Sequence, residues 1–200
     1  TLVLATSYVL SREPGPVVAN LSTTSALAAV VESFGCSLAL TKIGEVNVTE
    51  AMQRDRAVIG GEGNGGVIYP RVNFARDSLV GIALILHYLA ATGISLSQLL
   101  SGIPRFYMLK EKLACPSHSV ARVLRALRHE YSNYPIDTLD GLKVMLAEGW
   151  FLVRASNTEP IMRVIAEAKT ETDARNLLTK VFAQVEANLN SEGETQNTSV

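Results

Sequence analysis

The sequence predicts an α/β layer domain followed by a small α+β domain with a largely antiparallel sheet. Three observations carry this reading. Short apolar runs alternate with helix-length segments as far as about residue 102, the pattern of strands covered by helices. Beyond Ile103-Pro104, apolar runs at residues 142–146, 150–154 and 161–168 follow one another with only turn-sized gaps, which implies antiparallel pairing. A hydrophobic content of 48% over 200 residues is enough to bury a core in each part.

Residues 1–11 predict a helix, ended by the breaker Pro14-Gly15-Pro16. Because Thr1 stands where an initiating methionine would, residues 1–14 are expected to be the remnant of a preceding domain in a longer protein. Val17-Val18-Ala19 predicts a short buried strand. Residues 25–34 predict a helix closed by Gly35 in the left-handed conformation, and residues 37–41 a second strand. A helix over 47–54, a strand at Val58-Ile59 and a strand at Val67-Ile68-Tyr69 continue the alternation. Asp77 or Ser78 caps a long helix running to Thr92, and a shorter helix follows over 97–100. These elements define the α/β domain at 15–104. In the α+β domain, at 105–190, a strand over 106–113 precedes a basic amphipathic helix over 120–131, with Ser117 as its expected cap. The three strands in series come next, and an amphipathic helix over 174–189 closes the unit. Residues 191–200 are polar, lack apolar anchors and are expected to be disordered.

Eighteen Lys and Arg against nineteen Asp and Glu leave a net charge of −1, so no basic excess is present to grip a nucleic acid. Residues 78–104 carry no Asp, Glu, Lys or Arg, but Gly93 divides them into two helix-sized pieces suited to a core rather than a membrane span. No basic region followed by an apolar stretch and cleavage site opens the chain. Two cysteines 79 positions apart, with no CxxC pair, predict reduced thiols in the cytoplasm.

Five of the fourteen glycines fall in Gly60-Gly61-Glu62-Gly63-Asn64-Gly65-Gly66, where Gly61, Gly63 and Gly66 match GxGxxG. A dinucleotide loop must open directly into a helix N-terminus. This one runs into Val67-Ile68-Tyr69-Pro70, and Glu62 would place negative charge in the cradle. A tight glycine turn without function is the plain alternative. A carboxylate and an amide on a bare backbone loop also suit paired hydroxyls, as on a sugar. A second polar loop, Arg154-Ala155-Ser156-Asn157-Thr158-Glu159-Pro160, lies between two apolar strands, with Arg163 three residues beyond it. Arginine forks matched to phosphate oxygens, with small polar side chains and free amides, can cage an anion. The same residues also make an ordinary turn.

With both loops in hand, the chain resembles the α-D-phosphohexomutases, the superfamily of phosphoglucomutase, phosphomannomutase and phosphoglucosamine mutase. The glycine loop resembles the family's sugar-recognition loop, and residues 154–160 with Arg163 its phosphate-binding loop. Thr41-Lys42-Ile43-Gly44-Glu45, Ala75-Arg76-Asp77 and Asp140-Gly141-Leu142 also fit, so the likeness spans about residues 15–189. It implies domains 3 and 4 of an enzyme that interconverts hexose 1-phosphate and hexose 6-phosphate through a phosphoserine and a bisphosphorylated sugar. Carried over by position, Glu62, Asn64 and Glu45 bind the sugar, while Arg154, Ser156, Asn157, Thr158 and Arg163 hold the non-transferring phosphate. Asn64 stands where serine is common and Gly66 where histidine is common, which alters the hydrogen-bond set on the sugar side.

The family's Thr-x-Ser-His-Asn and Asp-x-Asp-x-Asp loops do not occur in these 200 residues. The resemblance therefore implies magnesium on a domain outside this chain, no cofactor on the chain itself, and catalysis only together with N-terminal domains of the same protein. The implied ligands are hexose phosphates and a hexose bisphosphate, with no nucleic acid and no membrane. A stand-alone sugar-phosphate binding or regulatory module without catalysis is the alternative.

Overall fold

Val17–Asn20 (β1) is buried at every position because helices cover both faces of its sheet. In the computed structural model, which describes residues 1–190, β1 runs parallel to Leu38–Thr41 (β2) on one side and to Ile59–Gly61 (β3) on the other. Val67–Ile68 (β4) pairs antiparallel with β3, giving the order β2-β1-β3-β4. Successive residues point to opposite faces of a strand. Val17, Ala19 and Ile59 accordingly join a core with Leu2–Arg12 (α1), Ser25–Ser33 (α2) and Ser78–Thr92 (α4), while Val18 and Ile68 pack against Val48 and Met52 of Glu45–Asp55 (α3). This is the expected α/β layer domain.

The chain divides into two units, Thr1–Arg105 and the residues from Phe106 onward, one residue past the boundary read from the sequence. Residues 1–14 are not a separate remnant. Leu2, Ala5, Tyr8, Val9 and Leu10 of α1 are buried in the same core as Leu27, Val31 and Leu84, so the first helix belongs to the first unit. Gly35, at φ 64, follows α2 as expected. Asp77 caps α4 by accepting from the Leu79 and Val80 amides, and Gly93 ends it at φ 69. Leu96–Ser101 (α5) follows with a Ser95–Gln98 capping box. The uncharged stretch is less buried than expected: within α4 only Gly81 and Leu84 are buried, and Leu79, Ile82 and Leu86 stand exposed. Among the described residues no helix is long and apolar enough to cross a membrane.

The second unit is an antiparallel sheet in the order β5-β9-β8-β7-β6, formed by Tyr107–Ala114 (β5), Ile136–Asp137 (β6), Leu142–Met145 (β7), Gly149–Ala155 (β8) and Ile161–Ala168 (β9). Ser117–Glu130 (α6) and Glu171–Asn190 (α7) cover one face, where Phe151, Val153, Met162 and Val164 meet Val123, Leu127, Val181 and Val185. Ser117 does not cap α6. It is the first helical residue, and Pro116, which has no side-chain hydrogen bond to give, holds the cap position. The two-residue β6 is too short to leave a periodic signal. Residues 191–200, expected to be disordered, lie outside the described residues.

The sheet's other face carries buried Trp150, Leu152 and Ile165 together with charge. Trp150 Nε1 donates to Glu167 Oε1 at 2.8 Å, and the Lys143 ammonium lies 3.9 Å from the Trp150 ring centroid. Burial pushes the Lys143 pKa from 10.5 down to about 8, against the opposing pull of Glu167 and Asp137. Between these values the unfolded chain binds the proton and the folded chain does not, so the Lys143 contribution makes stability rise with pH by up to about 1.4 kcal/mol per pH unit. Lys143→Met is expected to remove this rise. Urea unfolding followed by Trp150 fluorescence at pH 7 and pH 9.5 tests it; an unchanged pH dependence in the variant would refute the assignment.

Candidate functional site

Each unit carries one polar loop. In the first, β1 is where the strand order reverses, and such sheets bind ligands beyond the carboxyl ends of strands at that point. Asn20 ends β1 there and is 2% exposed. Its Oδ1 accepts from the Ser22 amide at 3.2 Å, Ser22 Oγ at 3.0 Å, Thr23 Oγ1 at 3.1 Å and the Gly63 amide at 3.3 Å. Its Nδ2 donates to Glu62 Oε1 at 3.0 Å. The glycine loop thus hangs from one buried carboxamide that sequence reading missed. An Asn closing an apolar strand just before Leu-Ser-Thr is the only trace it leaves.

The loop joins β3 to β4 and opens into no helix, which removes the geometry a dinucleotide needs. The Glu62 amide donates to the Gly66 carbonyl and the Gly65 amide to the Glu62 carbonyl, both at 3.0 Å. A side chain at Gly63 would place its Cβ 2.2 Å from the Ser22 carbonyl oxygen, so glycine is required there by close approach. Asn64 is exposed, and its Oδ1 accepts from the Gly66 amide at 3.0 Å.

Glu62 is 4% exposed. Its Oε1 also accepts from the Gly44 amide at 3.2 Å, and its Oε2 lies 2.8 Å from an Arg76 guanidinium nitrogen. A carboxylate offers about four acceptor positions. Three are taken, and the last, on Oε2, is left for one hydroxyl. Glu45, the first residue of α3, turns toward the same arginine: Oε1 accepts from the Arg76 amide at 2.6 Å and Oε2 from its Nε at 2.9 Å. Arg76, another residue the sequence reading gave no role, therefore holds two carboxylates at once. Its backbone amide, then its side chain, keep the Glu45 carboxyl below its ordinary pKa.

In the second unit, the polar loop is the hairpin connection between β8 and β9. Arg154 and Arg163 stand directly opposite each other in register, with Ala155 and Met162 as the last pair before the loop. Arg154 is 7% exposed, and its Nε lies 3.3 Å from Asp140 Oδ2. Gly141 makes this possible. At φ 89 it presses against β8 so closely that a Cβ would sit 2.3 Å from the Val153 carbonyl oxygen and 2.8 Å from Arg154 Cβ. Arg163 is half-exposed and reaches Glu159 Oε2 at 3.3 Å. In the loop, the Ser156 amide donates to the Ile161 carbonyl at 2.9 Å, while Ser156 Oγ and Thr158 Oγ1 are 3.4 Å apart. Asn157 and Thr158 are exposed. The five residues read as a phosphate cage therefore share one hairpin. Asp140, which positions its buried arginine, was visible only as the Asp-Gly ahead of β7.

The magnesium that the resemblance implies finds no fit here. The described residues gather no group of three or more His, Cys, Asp or Glu suited to a metal.

The chain combines a three-layer α/β unit that carries a glycine loop at its strand ends with a helix-backed antiparallel sheet that carries an Arg-bracketed hairpin. The chain belongs to the phosphoglucomutase/phosphomannomutase family: the family's α/β/α domain III matches residues 1–107 and its C-terminal domain residues 110–193. A phosphoglucomutase/phosphomannomutase of Thermococcus kodakarensis is 36% identical over 180 residues, 89% of this chain and 40% of that protein. A phosphoglucosamine/phosphogalactosamine mutase of Sulfurisphaera tokodaii is 33% identical over 173 residues, 85% of this chain and 38% of the relative. Among solved structures, an Aspergillus fumigatus N-acetylphosphoglucosamine mutase in complex with glucose 1,6-bisphosphate shares the fold with a TM-score of 0.68 at 18% identity, covering 93% of this chain and 41% of that one. The chain thus spans about two fifths of the length of these relatives.

Glu45 contributes stability above its unfolded pKa, and that contribution is lost as pH falls through its depressed folded value. Arg76→Ala removes the side-chain contact but keeps the backbone amide, so the Glu45 carboxyl is expected to rise part of the way to the ordinary range and this acid-side loss to shrink. Carboxyl chemical shifts followed through a pH titration would show it; a Glu45 pKa unmoved by the substitution would contradict the clamp.

Proposed function

We propose that this chain is the sugar- and distal-phosphate-binding part of a phosphohexomutase that interconverts hexose 1-phosphate and hexose 6-phosphate. One observation carries the reading: Arg154, nearly buried and fixed by Asp140, stands in register with Arg163 at the mouth of a Ser-Asn-Thr hairpin loop. Two guanidinium forks and three small polar residues match a phosphate monoester. In the first unit, Glu62 accepts from one sugar hydroxyl through its remaining position on Oε2, and Asn64 adds an exposed amide. Glu45 acts on the sugar through Arg76, which it holds beside Glu62.

In the whole enzyme, a phosphoserine outside this chain donates the phosphoryl group, and the bisphosphorylated sugar turns over before the serine is rephosphorylated. A cage of forks and hydroxyls that grips a phosphate without contacting one end of the ring serves both orientations of that intermediate. Magnesium belongs to the same missing part. This chain alone binds hexose phosphate without turning it over. Its two unpaired cysteines support a cytoplasmic location.

Removing a charge-assisted contact costs roughly 1.5–3 kcal/mol. Arg154→Ala in the full-length enzyme is therefore expected to lower kcat/KM more than about tenfold, with the sugar loop intact. Unchanged kinetics would return Arg154 to a structural role, and an upstream reading frame lacking both the serine and the aspartate loops would remove the mutase reading. Comparing kcat/KM for glucose, mannose and glucosamine phosphates then identifies the substrate, because these sugars differ at the 2-position while the family's contacts are to the 3- and 4-hydroxyls.

A further inference from the structure

The arginine pair on the hairpin is part of a longer row. β9 lies between β8 and β5, and Arg163 faces Arg154 on one side and Lys112 on the other. Residues directly opposite in paired strands project from the same face. The apolar core places that face away from the helices, because Leu109 and Leu113 of β5, Met162 and Val164 of β9, and Val153 of β8 all pack on the helix side. Three cationic residues therefore stand in register on three neighbouring strands, which lie about 4.8 Å apart. Like charges directly opposite one another destabilise a sheet. Asp140 answers Arg154 and Glu159 answers Arg163, whereas Lys112 is exposed and has no charged or hydrogen-bonding partner among the described residues.

Lys112 also stands at the loop end of the sheet. Two residues beyond it β5 ends, and the Cys115 amide donates to the Pro160 carbonyl at 2.9 Å, tying that end to the last residue of the polar loop. Lysine on an edge strand discourages strand addition by another chain. Lys110 has the same edge, the same face and that same role, but it pairs with Ile165 and has no arginine beside it.

We propose that Lys112 is a further phosphate-binding residue, the third cation of the cage, and that it favours the dianion of a phosphate monoester over the monoanion. The inference rests on the phosphate site proposed above. Its chemistry is a point charge on a flexible stem, added to two planar forks that fix geometry. Phosphate monoesters pass from monoanion to dianion near pH 6, so the lysine gains most where the second charge appears.

The test is binding of glucose 6-phosphate and of inorganic phosphate to the whole chain by calorimetry, at pH 5.5 and 7.5 and at two salt concentrations, with unphosphorylated glucose as the neutral control. Lys112→Gln is expected to weaken both anions about three- to tenfold at pH 7.5, to shrink the gain between pH 5.5 and 7.5, and to flatten the salt dependence. Lys112→Arg should retain most of the affinity, and Lys110→Gln should change little. Equal losses in Lys110→Gln and Lys112→Gln would overturn the proposal in favour of a general surface charge. Unchanged binding in Lys112→Gln, with binding lost in Arg154→Ala, would overturn this inference alone. Unchanged binding in Arg154→Ala as well would overturn the phosphate site itself. Trp150 fluorescence during unfolding checks that each variant is folded.

Discussion

The first unit depends on a single buried carboxamide. Asn20 stands where β1 stops, and four donors converge on its Oδ1 while its Nδ2 is given to Glu62. A polar group this deeply buried is tolerable only when satisfied. Satisfying it draws the turn after β1 and the glycine loop after β3 to the same point. The loop therefore takes its position from an adjacent parallel strand rather than from its own short flanking strands. Glu62, in turn, is aimed by the residues that occupy three of its acceptor positions. Its outward chemistry is what they leave over.

The second unit solves the same problem with charge. Arg154 is carried on the strand β8, whose other side chains build the core, and burial of a guanidinium is costly without a carboxylate nearby. Asp140 supplies it, and Gly141 lets that turn approach closely enough to do so. On the same helix-free face, Trp150, Glu167 and Lys143 form a second polar arrangement within apolar surroundings. Both loops are thus short polar segments held by strands that are themselves fixed from one or both faces by helices, which limits the ordering a ligand must impose.

Much of this was legible in the sequence because it obeys periods. Alternating runs gave the layered unit and the strands in series gave the antiparallel one, with the boundary displaced by a single residue. Asp77, Gly35 and Gly93 carried caps and stops in their side-chain chemistry or their lack of one. The misreadings have physical causes. Residues 1–14 looked detached because Pro14-Gly15-Pro16 breaks the chain, yet the helix before it folds back onto the same core, and nothing local records that. Ser117 was a plausible cap until Pro116 occupied the position. Asn20, Arg76 and Asp140 escaped because their roles are made by contacts 42, 31 and 14 residues away. Glu45 was found as a candidate, but its attachment to Arg76 exists only once α3 and the segment before α4 are brought together.

Gly141 has no side chain to offer a ligand. Because its backbone lies against Val153 and Arg154, any side chain there must push the buried arginine or its strand aside. A genetic screen of the proposed phosphate site would therefore recover position 141 alongside the residues proposed to touch the ligand, and a map of such variants would draw that site one turn too large.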